Sequence, residues 1–121
     1  MSPEADDTLA RQLRALRREY LSDSAQRVGE LRGLLARLAN GERAVLRELS
    51  QAFHKLAGSG GSYGFPLVST RSREGEQLAN RLAAGAAPIA DADQASLRSC
   101  VDAIALAFTE ALSALDRESS G

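Results

Sequence analysis

The chain has almost nothing from which to build a metal site, a disulfide or an aromatic core. Tryptophan is absent, aromatic residues make up only 4% of the 121, and cysteine, methionine and histidine occur once each. A lone Cys100 excludes an intrachain disulfide and a thiolate metal cluster, and its apolar surroundings suit a small buried hydrophobe rather than a reactive thiol. With His54 as the only imidazole and no second His or Cys on its face, a zinc site lacks ligands. No apolar run approaches the roughly 18 to 20 residues of a membrane span, and Met1-Ser2-Pro3-Glu4-Ala5-Asp6-Asp7 is not a secretory signal. Those absences predict a cytoplasmic protein with no membrane partner. Charge of one sign is lacking as well. The balance of 15 basic and 16 acidic residues, net −1, gives no field for nucleic acid or anionic lipid. The nearest basic patch, Arg11, Arg14, Arg17 and Arg18, has little aromatic interleaving and reads as a solvated helix face.

What is present is aliphatic. Apolar residues reach 44%, mostly Leu, Ala, Val and Ile, which suits packed helices better than a sheet sandwich. The length fits one domain, taken as 1–121 with an ordered core of about 5–117. Four periodic segments follow one another. In the first, Leu9, Leu13, Leu16 and Tyr20 recur at three and four, and Val28, Leu31, Leu35 and Leu38 resume the stripe. Ser22-Asp23-Ser24 between them can cap a second helix, so this segment is two helices or one with a kink. Asn40-Gly41 stops it, with Gly41 at the left-handed C′ position. The second segment runs from about Glu42 to Ser59, with Val45, Leu49, Phe53 and Leu56 inward. Gly60, Gly61 and Gly64 loosen its end, and Pro66 starts the next. The third, Pro66 to Ala84, is expected to bury Leu67, Val68, Gly75, Leu78 and Leu82. Asp91 or Asp93 caps the last, whose stripe is Leu97, Val101, Ile104, Phe108, Leu112 and Leu115. No stretch alternates with period two. The pattern predicts an all-α, antiparallel up-down four-helix bundle with an additional or kinked N-terminal helix. Because four helices can bury their own stripes, a monomer is expected.

His54 falls roughly 145° from the centre of the Val45, Leu49, Phe53 and Leu56 stripe, so its ring points to solvent. Arg47, Ser50, Gln51, Ala57, Gly58 and Gly61 share its side. Glycine on an exposed helix face costs up to ~1 kcal/mol against alanine, so Gly58, Gly60 and Gly61 either mark the helix end or clear surface for another protein's backbone. An unperturbed imidazole is mostly neutral near pH 7 and carries a free lone pair, which makes it a nucleophile able to hold a covalent group. No nucleophile–base–orienter set accompanies it. Gly58-Ser59-Gly60-Gly61 lacks the Gly-Lys-Ser/Thr of a nucleotide loop, so ATP chemistry of the chain's own is not expected.

The run His54-Lys55-Leu56-Ala57-Gly58-Ser59, followed by Gly64-Phe65, resembles the signature of histidine-containing phosphotransfer (HPt) domains of two-component phosphorelays, His-x-Leu-Lys-Gly-Ser then Gly and a hydrophobic residue. The helical layout agrees over roughly residues 9 to 116. The resemblance implies a phosphorelay intermediate of bacterial-type signalling, which accepts a phosphoryl group on His54 from a receiver-domain aspartate and passes it to another receiver. It implies supporting roles for Lys55, Gly58, Ser59 and Glu76. Glu76 stands where many members carry Gln or Glu near the imidazole, and its carboxylate can hold the Nδ1 proton and leave Nε2 to attack. Ser59 falls at the core edge. Ser50, Gln51, Ala57 and Gly61, with Leu13 and Leu16 as an apolar collar, are the expected docking surface. The partners implied are receiver domains of response regulators or hybrid histidine kinases. The chain needs no cofactor of its own, and Mg2+ is expected on the receiver. One departure matters: the family's usual lysine three residues after the histidine is here Ala57, leaving Lys55, Arg71 or Arg73 to take its place. That departure keeps open a second reading, an interaction module that binds a receiver or kinase without being phosphorylated. A third reading is the phosphoacceptor domain of a chemotaxis-type kinase.

Overall fold

The computed structural model describes residues 3–120, and side chains over residues 7–118. Its described residues form five helices and no strand: α1 (Pro3–Ser22), α2 (Ser24–Ala39), α3 (Val45–Ser62), α4 (Pro66–Ala84) and α5 (Asp91–Ser120). Helices α2 to α5 form an antiparallel four-helix bundle in which each packs on its two neighbours, and α1 joins at one end, against α2 and α5. The expected segments are thus present, with the first divided in two.

The division falls at Asp23, but no side chain caps it. The Asp23 carbonyl accepts from Arg27 N at 3.1 Å, and Asp23 N donates to Tyr20 O at 3.4 Å. The two helices therefore abut at one residue. Gly41, at φ +94°, ends α2 as expected. Its amide reaches Leu38 O at 3.0 Å and Glu42 N reaches Arg37 O at 3.1 Å, the paired bonds of a Schellman stop. The same motif ends α3 three residues later than expected. Gly64 takes φ +84°, with Phe65 N on Gly60 O at 2.7 Å and Gly64 N on Gly61 O at 3.2 Å. Gly60 and Gly61 are therefore helical, and Gly64 is the residue whose conformation ends the helix. Pro66 opens α4. Asp91 and Asp93 lie inside the first turn of α5 rather than at a cap, where negative charge faces the helix's positive end.

The core stripe of α3 (Val45, Leu46, Leu49, Phe53, Leu56) meets Leu31 and Leu38 of α2, Val68 and Ala79 of α4, and Leu97, Val101, Ile104 and Phe108 of α5. Phe53 is fully buried because α4 presents Gly75 to it. A Cβ on Gly75 would lie 2.6 Å from the Phe53 ring, and one on Gly60 would lie 2.9 Å from Val68 Cγ1. These two glycines let α3 and α4 close on each other. Arg43, before α3, ties the far end by donating to Leu82 O at 2.6 Å, to Ala87 O at 2.7 Å and to Gly85 O.

Two expectations about burial, at Leu67 and at Ala57, need correction. Leu67 is 54% exposed, while Val68, the next residue, turns into the core. Leu9, Leu13 and Leu16 are 51%, 44% and 49% exposed. They keep helical spacing, but among the described side chains of α1 only Tyr20 and Leu21 are buried. Ala57, placed by phase beside His54 on an open face, is 5% exposed. The small residues of α4 bring that helix over this edge of α3, and Ser69 Oγ donates to Ala57 O at 2.8 Å.

Candidate functional site

His54 lies in the third turn of α3, roughly 100° around the helix from the buried Phe53, and its side chain is 76% exposed. The buried stripe of Val45, Leu49, Phe53 and Leu56 fixes the phase of the helix and leaves His54 on its far side. From α4, Glu76 Oε2 approaches His54 Nδ1 at 2.6 Å, and the glutamate side chain is only 22% exposed. An ionised carboxylate only accepts hydrogen bonds. Nδ1 is therefore the protonated nitrogen when the ring is neutral, and the lone pair sits on Nε2, the far corner of the ring. The pair amounts to an oriented, solvent-facing nucleophile.

Around it the surface is low. Gly58 is exposed, and a Cβ built on it would meet nothing within 4 Å. The fold therefore does not require glycine there. Gly61 is also exposed, with only ordinary contact from Ser69 Oγ, 3.5 Å from its would-be Cβ. Gln51 is exposed, while Ser50 is half-buried and donates to Asn80 Oδ1 at 2.5 Å.

The remaining expected residues scatter. Lys55 is exposed but lines the groove between α2 and α3 with Glu30, Glu48 and Gln51. Ser59 shares a hydrogen bond of 2.7 Å with Tyr20 OH. Its hydroxyl thus fastens α1 to α3 and does not face the ring. Tyr20 also stacks on Tyr63 at 4.4 Å between centroids, and Arg17 Nε donates to Tyr63 O at 3.2 Å. Tyr63 is nine residues past His54, roughly 13 Å along the axis, so Leu13 and Leu16 sit at the end of the bundle and not around the ring. Arg71 is paired with Glu74 at 2.9 Å. Arg73 is exposed and has no hydrogen bond or ion pair among the described residues.

An exposed imidazole on the second helix of a bundle, braced by a carboxylate from the third, is the arrangement against which the family comparison is set. Residues 15–117 match the family model of the Hpt domain. The chain belongs to the Hpt-domain family. Comparison with curated proteins and with solved structures gave no match. Hpt domains are helical histidine phosphotransfer modules of two-component signalling, and they interact with receiver domains. In this Hpt domain the matched span takes in all of α2 to α4 and most of α5, but it begins within α1. The exposed leucines Leu9 and Leu13 lie before the match. Among the described residues no helix is long and apolar enough to cross a membrane.

Sequence reasoning passed over one feature of the site. Asn80, four residues after Glu76, holds Ser50 and extends the α3–α4 seam that carries the His54–Glu76 pair. Its signal was the repeated spacing of polar residues along one edge of α4.

Proposed function

We propose that this Hpt domain is a phosphorelay intermediate that accepts a phosphoryl group on Nε2 of His54 from a receiver aspartate and passes it to a second receiver. The observation that carries the proposal is the 2.6 Å contact between Glu76 Oε2 and Nδ1 on a ring that is 76% exposed. In the forward step the Nε2 lone pair attacks phosphorus in line. The Nε2–P bond forms as the aspartyl O–P bond breaks, and the aspartate leaves with the bonding electrons. The ring gains positive charge, which the Glu76 carboxylate offsets while the proton stays at Nδ1. Transfer to the second receiver is the reverse. Positioning and electrostatics supply the rate, and the Mg2+ expected for this chemistry belongs to the receiver. Such receivers, on response regulators or hybrid kinases, would meet a monomeric partner in the cytoplasm.

The docking surface proposed for the receiver is the low ground at Gln51, Gly58 and Gly61, extended by the exposed Leu13 and Leu16. A standard interface patch of about 800 Å2 per partner is broad enough to include both.

The test is to incubate the protein with a phosphorylated receiver and look for acid-labile, base-stable label. Label on the wild type and none on His54→Gln is expected. Equal labelling of the two, or none on either, overturns the phosphotransfer reading. Receiver binding without label would instead leave a docking module.

A further inference from the structure

Two edges of the α3–α4 pair carry residues at the same spacing of four, three and four. On α3 they are Ser50, His54, Ala57 and Gly61. On α4, in reverse order, they are Asn80, Glu76, Arg73 and Ser69. Two of the four cross-pairs are in contact, and a third lies close. Ser50 Oγ bonds Asn80 Oδ1 at 2.5 Å and His54 Nδ1 meets Glu76 Oε2 at 2.6 Å. A Cβ on Gly61 would lie 3.5 Å from Ser69 Oγ. The constant antiparallel register places Arg73 opposite Ala57, one turn from Glu76 and beside the next turn of α3 after His54. Ala57 offers it only a methyl group, and Gly58 next to it offers no side chain. Arg73 is exposed and unpaired among the described residues, so its guanidinium has room to move and nothing to hold it.

A phosphoryl group on Nε2 adds about −1.5 to −2 charges, beside the carboxylate of Glu76. The other nearby cations are committed or turned away. Lys55 is roughly 100° around α3 from His54, in the α2–α3 groove with Glu30 and Glu48. Arg71 is bonded to both carboxylate oxygens of Glu74 at 2.9 and 3.0 Å, and this pair acts on Cys100 of α5, on another side of α4. Arg47 lies two turns before His54, roughly 10 Å along the axis, beyond the Ser50–Asn80 bond.

Resting on the phosphotransfer reading above, we propose that Arg73 is the phosphoryl-binding cation of this site. Its guanidinium closes onto the oxygens of the group on Nε2, with the planar fork suited to charge-assisted N–H···O bonds. Glu76 and Arg73, three residues apart on one helix edge, divide the phosphorylated ring. The carboxylate holds the Nδ1 proton, and the guanidinium holds the phosphoryl oxygens.

The test needs no receiver. Phosphoramidate donates directly: the Nε2–P bond forms as the donor's P–N bond breaks, and ammonia leaves with the bonding electrons. The 31P resonance of the phosphohistidine is then followed against pH in the full chain. In Arg73→Ala the last ionisation of the phosphoryl group is expected to rise by about half a unit, the worth of an exposed ion pair that favours the dianion. Arg73→Lys should restore most of the wild-type titration, and Lys55→Ala should match the wild type. An Arg73→Ala titration that overlays a labelled wild type overturns the role of Arg73 alone, as does a larger shift in Lys55→Ala. A wild-type ring that takes no phosphoryl group from phosphoramidate or from a phosphorylated receiver removes the phosphotransfer reading, and the role of Arg73 with it. Arg73 is exposed, so its variants keep the fold, and an unchanged far-ultraviolet circular dichroism spectrum checks this.

Discussion

At His54 the nitrogen proposed to take the phosphoryl group is the one Glu76 leaves alone. A carboxylate on Nδ1 fixes both the ring's rotation and its tautomer, and the nucleophilic corner is then presented without being touched. Replacing Glu76 by Ala should slow transfer from a phosphorylated receiver about tenfold, equivalent to about 1.4 kcal/mol for one charge-assisted hydrogen bond. Glu76→Gln, which can still accept from Nδ1, should recover part of the loss. Rates that do not differ among the three proteins would remove the orienting role. A second residue reports on the interior. Burial first, then the carboxylate of Glu74, push the Cys100 thiol up, and Arg71 pulls the other way. The folded state thus holds the thiol proton more tightly than the unfolded chain does. The stability this contributes is present below the ordinary thiol range and is lost as pH rises through the native value. The urea midpoint of the wild type should therefore fall relative to that of Cys100→Ser as pH is raised above about 8.5.

Along the α3–α4 pair, glycines of identical composition have opposite meanings. Gly75 faces the Phe53 ring at a separation no Cβ can share. Gly75→Ala should cost about 1 to 3 kcal/mol by overpacking, read as a lowered urea midpoint. Gly58 faces open space. Gly58→Ala should stabilise the protein by up to about 1 kcal/mol, the helix-propensity difference, and should slow transfer from a receiver while leaving labelling by phosphoramidate at the wild-type rate. A destabilised Gly58→Ala, or one that transfers normally, would show that this surface is not kept bare for docking. At the end of the bundle, Leu13 and Leu16 make a separate test. Their joint replacement by Ser should leave the unfolding midpoint within about 0.5 kcal/mol of wild type, as for other exposed positions, and should weaken receiver binding measured by titration calorimetry.

For the molecule as a whole, helical period alone located α2 to α5, because each buries one stripe against neighbours that bury theirs. The break near Asp23 and the stop at Gly41 were readable for equally local reasons. What period could not supply was which neighbour would cover a given edge. Ala57 lies close to His54 in phase yet is sealed, because Ser69 and Gly75 admit α4 on that side. Leu9, Leu13, Leu16 and Leu67 have the spacing of core residues but stay largely exposed. Glu76 is 22 residues from His54, across a turn. Its place beside the ring was expected from the resemblance to Hpt domains, since no local pattern links the two. Arg73 was one of three candidates, with Lys55 and Arg71, to replace the lysine missing at position 57, and only the register of the two helices sets it apart.

The short turn at residues 63–65, closed by Gly64, also bears on the order in which the molecule assembles. It joins the two helices that share the most extensive contact in the bundle across only three residues, so that contact costs little loop entropy. The α3–α4 hairpin should therefore be the structured part of the folding transition state, with α2 and α5 docking afterwards. In stopped-flow refolding, Phe53→Leu should act mainly on the folding arm and Leu31→Ala mainly on the unfolding arm. Similar φ-values at the two positions would contradict that order. If it holds, His54 and Glu76 already face each other while half of the bundle is still unfolded chain.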